Sequence, residues 1–98
     1  MKFSPLNGDS AVLEEVGRRL AETRLEQNRS QESIATAAGV SRRTIIRMEA
    51  GEDVSLATFV RVIRELGLIQ NLEQLLPEAA PSPIERLKTE GKRRRRAS

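Results

Sequence analysis

Apolar residues recur along this chain at intervals of three and four, the period of a helical stripe, and no run alternates apolar with polar in the manner of a half-buried strand. The pattern predicts an all-α fold. A first helix is expected over 10–28, with Ser10 as N-cap, Glu14 and Glu15 in its first turn, and Leu13, Val16, Gly17, Leu20 and Arg24 on one face. A second, over 31–38, follows the capping hydroxyl of Ser30 and closes at Gly39, where a left-handed backbone carries no steric cost. Ser41 opens a third over 42–50, stopped by Gly51. Ser55 opens a fourth, carrying Leu56, Phe59, Val60, Ile63 and Leu66 before Gly67, with Leu56, Phe59 and Ile63 expected in the core. A short fifth, 68–76, holds Leu68, Ile69, Leu72, Leu75 and Leu76 and ends at Pro77.

Residues 31–50 form a unit within this series. Ile34, Ala38, Val40, Ile45 and Met48 are spaced so that two short helices share apolar contacts across a tight turn, with Ala35 small where they pass. Two helices so joined, at roughly 90–120°, make a helix-turn-helix. In "AGVSRRTIIRMEAG", Ile45 and Met48 mark the buried side of the third helix, leaving Arg42, Arg43 and Arg47 on its other sides, near its start. Cations at a helix N-terminus oppose the macrodipole, so an external compensation is implied. Double-stranded DNA supplies it: phosphates neutralise the charge, and guanine O6 and N7 accept both arms of an arginine fork in the major groove.

Composition narrows the chemistry. Cys and His are absent, excluding a zinc finger, a thiol nucleophile and an imidazole base. Glu14-Glu15 and Glu52-Asp53 are neighbours in sequence that do not face one another on a helix, and read as solvated surface. The chain is therefore read as non-enzymatic, with no metal and no cofactor. No apolar stretch approaches the ~18 residues of a membrane span, and no signal-peptide pattern opens the chain. A cytoplasmic location is expected, with no membrane partner. The net charge of +3 is unevenly spread: residues 1–76 carry a net −1 and residues 77–98 a net +4. Positive charge is thus localised on the third helix and at the C-terminus.

The stretch "NRSQESIATAAGVSRRTIIRMEAGEDVSLATFVRVIRELG" resembles the Cro/C1-type, or XRE-family, helix-turn-helix domain of phage repressors and bacterial regulators. Gln31, Ala35, Gly39, Ile45, Glu49 and Gly51 stand where that family's pattern places them. The resemblance implies a five-helix, lambda-repressor-like domain over 10–76, with the helix-turn-helix unit at 31–50 and the recognition helix at 42–50, binding a palindromic operator as a homodimer. It implies base contacts from Arg42, Arg43, Arg47 and Thr44, phosphate contacts from Ser30, Gln31 and Ser41, and a structural pair between Arg24 and Glu49. Ala50 departs from the family's Glu-Asn-Gly ending. Ile46 stands where similar proteins often carry a polar residue; a thymine methyl or plain exposure both fit it.

Two features lie beyond that unit. A small bundle hides one face of the fifth helix, so Ile69, Leu72, Leu75 and Leu76 are expected to offer a dimer or partner surface. Residues 77–98 read as a proline-containing linker, a capping box at Ser82–Glu85 that starts a short helix, and a basic run containing Arg93, Arg94, Arg95 and Arg96. That run reads as a solvated tail, a DNA-contacting arm or, more distantly, a membrane-surface patch. The segment "SPIERLKTEGKRRRRAS" is similar to tails of HipB-type antitoxins encoded beside HipA-like kinases. Two functions follow from the resemblances: a sequence-specific transcriptional (auto)repressor, or an antitoxin that also binds a HipA-like toxin. Controller proteins of restriction–modification systems share the same fold.

Overall fold

The computed structural model describes residues 3–79. Among them the order is α1 (Asp9–Glu26), α2 (Gln31–Ala38), α3 (Arg42–Glu49), α4 (Leu56–Glu65), a 3-10 turn (Ile69–Asn71) and a single-turn α5 (Leu72–Leu75). All described regular structure is helical. The expected linker beyond residue 79, the capping box at Ser82 and the run Arg93–Arg96 lie outside the described residues.

Side-chain caps start three of these helices. The hydroxyls of Ser30, Ser41 and Ser55 accept from the backbone N–H groups of Ser33, Thr44 and Thr58 at 3.0, 3.1 and 3.1 Å. The start of α1 differs from the expectation. Its N-cap is Gly8, without a side-chain bond, and Ser10 lies inside the helix; Asp9 in the first turn complements the dipole instead. Its end is also earlier. Asn28 takes φ 54°, a left-handed conformation that asparagine tolerates better than most residues, so the helical run stops at Glu26. At the bend between α2 and α3, Gly39 has φ 73°, and the N–H of Val40 reaches back to the carbonyl of Ala35 at 3.0 Å.

The core is aliphatic: Leu20, Ile34, Ala35, Ile45, Met48, Val62, Ile63 and Leu66 are buried in one cluster, with Val16, Ala38, Val40, Phe59, Ile69 and Leu72 packed partly against it. Ile34 and Ile45, the largest fully buried side chains, lock α2 to α3. Burying each contributes on the order of 1.5–3 kcal/mol. Leu56 corrects the expectation of a core residue: as the first residue of α4 it is 76% exposed, and Val62 joins Ile63 inside in its place. Leu13 likewise lies at the exposed margin of α1. The fifth element is shorter than expected, a 3-10 turn and one α-turn, with Ile69 and Leu72 half-buried and Leu75 and Leu76 exposed.

Glu15 overturns the solvated-surface expectation for its acidic pair. It is buried on α1, where Arg18 and Arg19 bond to its carboxylate, Arg19 at 2.8 Å. Arg18 also bonds Glu22, and the Arg19 guanidinium stacks 4.3 Å from the Phe3 ring centroid. Hydrogen bonds from Arg18, then Arg19, hold the Glu15 carboxyl down from 4.5 to about 2. A carboxyl with a depressed folded pKa stabilises the fold above its unfolded value, and that contribution fades as pH falls from about 4.5 toward 2. Urea midpoints compared at pH 7 and pH 2.5 are therefore expected to fall less for Glu15→Gln than for the natural chain.

At Gly17, α1 closely approaches the end of α3. A Cβ built on Gly17 would sit 2.5 Å from the Met48 carbonyl oxygen and 2.6 Å from that of Glu49. Backbone meets backbone there, with no flexible side chain to yield. Helix propensity alone favours Gly→Ala in a helix interior by about 1 kcal/mol. Gly17→Ala is expected to reverse that sign and destabilise by ~1–3 kcal/mol in urea titration, because the helices must part.

Candidate nucleic-acid interface

The candidate interface centres on α3, which is held at both ends. At its start Ser41 caps the helix, and its hydroxyl lies 2.8 Å from that of Thr44, so the two polar side chains share a hydrogen bond. At its end Glu49 receives three donors. Arg24 Nε and an Arg24 terminal nitrogen donate to its two oxygens at 2.7 and 3.0 Å, and Gln31 Nε2 donates at 3.0 Å. Arg24 also donates to the Arg29 carbonyl at 2.9 Å. The bonds to Glu49, against the opposing effect of burial, hold the Arg24 guanidinium's pKa above its already high ordinary value. Arg24 and Glu49 are only 11% and 12% exposed, so the pair joins α1, α2 and α3 largely out of water.

This anchor orients the other face of α3. Ile45 and Met48 point into the core, while Arg42, Arg43, Ile46 and Arg47 are exposed. Among the described residues neither Arg42 nor Arg43 makes an ion pair or side-chain hydrogen bond, unlike Arg18, Arg19 and Arg24 on α1. Arg47 has a loose partner in Glu52 at 3.4 Å, with both side chains about half exposed at 48% and 56%. An exposed pair of this kind contributes ~0–1 kcal/mol and yields readily to a better acceptor.

A polar cleft between the start of α2 and the first turn of α3 is lined by Arg24, Ser30, Gln31, Glu32 and Arg42. It gathers Ser30, Gln31 and Arg42 at one place. Ser41 and Thr44 lie along α3 beside Arg43 and Arg47. Ile69, Leu72, Leu75 and Leu76 occupy the fifth element, and Leu72 and Leu75 line a mainly apolar groove with Phe3, Phe59 and Ile63. Three features went unread in the sequence: the bond from Gln31 to Glu49, the Arg47–Glu52 pair, and Glu32 at the cleft. The first was within reach, since Gln31 opens α2 and Glu49 closes α3; the others depend on how the loop after α3 turns back.

Two short helices locked by an isoleucine pair, with an exposed arginine face on the second, define a helix-turn-helix DNA-binding protein. The Helix-turn-helix family model matches residues 20–69, so the chain belongs to that family, as an XRE-type DNA-binding transcriptional regulator. No curated relative matches the chain. Among the described residues, no helix is long and apolar enough to cross a membrane.

Glu49→Ala leaves Arg24 and Gln31 without their acceptor on the inner side of α3. A loss of about 2–4 kcal/mol is expected in urea unfolding. Combined with Arg24→Met, the double variant should lose less than the sum of the two single changes, a coupling that a double-mutant cycle reads directly.

Proposed function

We propose that this regulator is a repressor, most simply of its own gene, that binds a two-fold symmetric operator as a homodimer. Each protomer places α3 in a major groove, with half-site centres about one helical turn, ~10 bp, apart. Arg42, Arg43, Arg47 and Thr44 face base edges. Ser30, Gln31 and Ser41 face phosphates, at the N-terminal ends of α2 and α3 where backbone N–H groups favour anions. The observation that carries this reading is the exposed, unpartnered state of Arg42 and Arg43 on a helix whose opposite face is locked into the core.

Dimerisation follows from the fifth element. Ile69 and Leu72 seat it on the core, and Leu75 and Leu76 stay 69% and 70% exposed, a paired apolar patch suited to a copy of itself. The antitoxin alternative rests on residues 82–98, outside the described residues.

Selection of preferred duplexes from a random pool, at stated salt, tests the reading. Arg43→Ala is expected to weaken binding to the preferred duplex by about 1–3 kcal/mol and to relax preference at one base pair. Uniform weakening across all sequences, with a shallower salt dependence, would reassign Arg43 to a phosphate.

A further inference from the structure

The outward face of α3 is not uniformly cationic. Counting about 100° per residue around the helix from Arg42, Ile46 falls near 40°, Arg43 near 100° and Arg47 near 140°, whereas Met48 and Ile45 fall near 240° and 300°. The point opposite the buried pair falls near 90°, so Arg43 lies at the middle of the outward arc, with Ile46 about 50° to one side, between Arg43 and Arg42, and Arg47 about 50° to the other. Ile46 is 43% exposed, whereas Ile45, the adjacent isoleucine, is 1% exposed in the core. The chain thus carries an exposed aliphatic side chain between two arginines, Arg42 and Arg43, on the outward face of α3.

Base edges in the major groove are almost wholly hydrogen-bonding groups. The apolar exception is the C5-methyl of thymine. An isoleucine pressed against N7, O6 or an exocyclic amine would strip water from those groups and return no hydrogen bond, which is costly. Pressed against a methyl, it removes apolar surface from water on both sides.

We propose that Ile46 is a specificity-determining residue that reads the C5-methyl group of a thymine, so that each half-site holds a thymine beside the guanines taken by the arginines. This rests on the reading of α3 as the groove-entering helix and names what that helix recognises. Arginine fork and isoleucine are complementary: one selects G·C pairs by paired acceptors, the other selects a T·A pair by its methyl and rejects positions that present only polar edges.

The test uses the full chain and its preferred duplex from pool selection. Each thymine of one half-site is replaced in turn by deoxyuridine, which removes the methyl and leaves every hydrogen-bonding group in place. The natural chain is expected to bind about fourfold more weakly at one such position, the value of one buried methyl-sized group. Ile46→Gln, a polar helix former at an exposed site, is expected to bind the thymine and deoxyuridine duplexes equally there, and Ile46→Val to keep most of the difference. The proposal is overturned if no thymine methyl matters to the natural chain, or if Ile46→Gln loses as much as the natural chain on its removal. Failure of the underlying reading looks different: no preferred duplex emerges from the pool at all.

Discussion

The close seating of α1 on the C-terminal end of α3 is the constraint on which the rest depends. Gly17 brings one backbone against the carbonyls of Met48 and Glu49, and Gly51, at φ 85°, lays the following turn on Glu14. At that distance the Glu49 carboxylate lies within reach of Arg24 on α1 and Gln31 on α2. One acceptor thereby ties three helices at the C-terminal end of α3, remote from Arg42 and Arg43 and one turn or less from Arg47. Such a partly desolvated pair contributes orientation more surely than net stability. Orientation is what the proposed placement of α3 against base edges requires.

The same seating divides the cations into two populations. On α1, Arg18 and Arg19 are spent on the buried Glu15, and Arg24 on Glu49. Arg29 donates to the carbonyl of Glu65 at 3.1 Å, and Gln27 to that of Leu66 at 2.9 Å, satisfying acceptors left open at the end of α4. On α3, Arg42 and Arg43 face water without such partners, and Arg47 is held only loosely. A body that is close to neutral over residues 1–76 thus sets three available cations on one face of α3, with Arg61 and Arg64 also exposed on α4. Locality of charge, more than its total, is what suits this chain to a polyanion with a groove.

A small aliphatic core makes that concentration possible. Ile34 and Ile45 hold the two helices of the unit by shape, without polar groups, so the capping hydroxyls of Ser30 and Ser41 stay at the surface beside the arginines. The polar cleft at Ser30, Gln31 and Arg42 is a by-product of the crossing. Its members come from the ends of two helices, and the bend at Gly39 brings them together.

Much of this was legible in the residue order because the forces involved are local. Serine caps, glycine stops and three-four apolar spacing act within a turn or two, and they placed α2 and α3, and the arginine face, to within a residue. Resemblance to a known family named the Arg24 and Glu49 partners from positions 25 apart, a separation that local pattern does not bridge. What escaped was decided by tertiary packing. Glu15 is the exception, held within α1 by local i+3 and i+4 bonds from Arg18 and Arg19, whereas Leu56 is exposed because α4 meets the core along Val62, Ile63 and Leu66. The last apolar run closes into one α-turn after a 3-10 turn, leaving Leu75 and Leu76 outside. Periodicity says which residues share a face; only the crossing of helices says which face is covered, because burial depends on neighbours far along the chain.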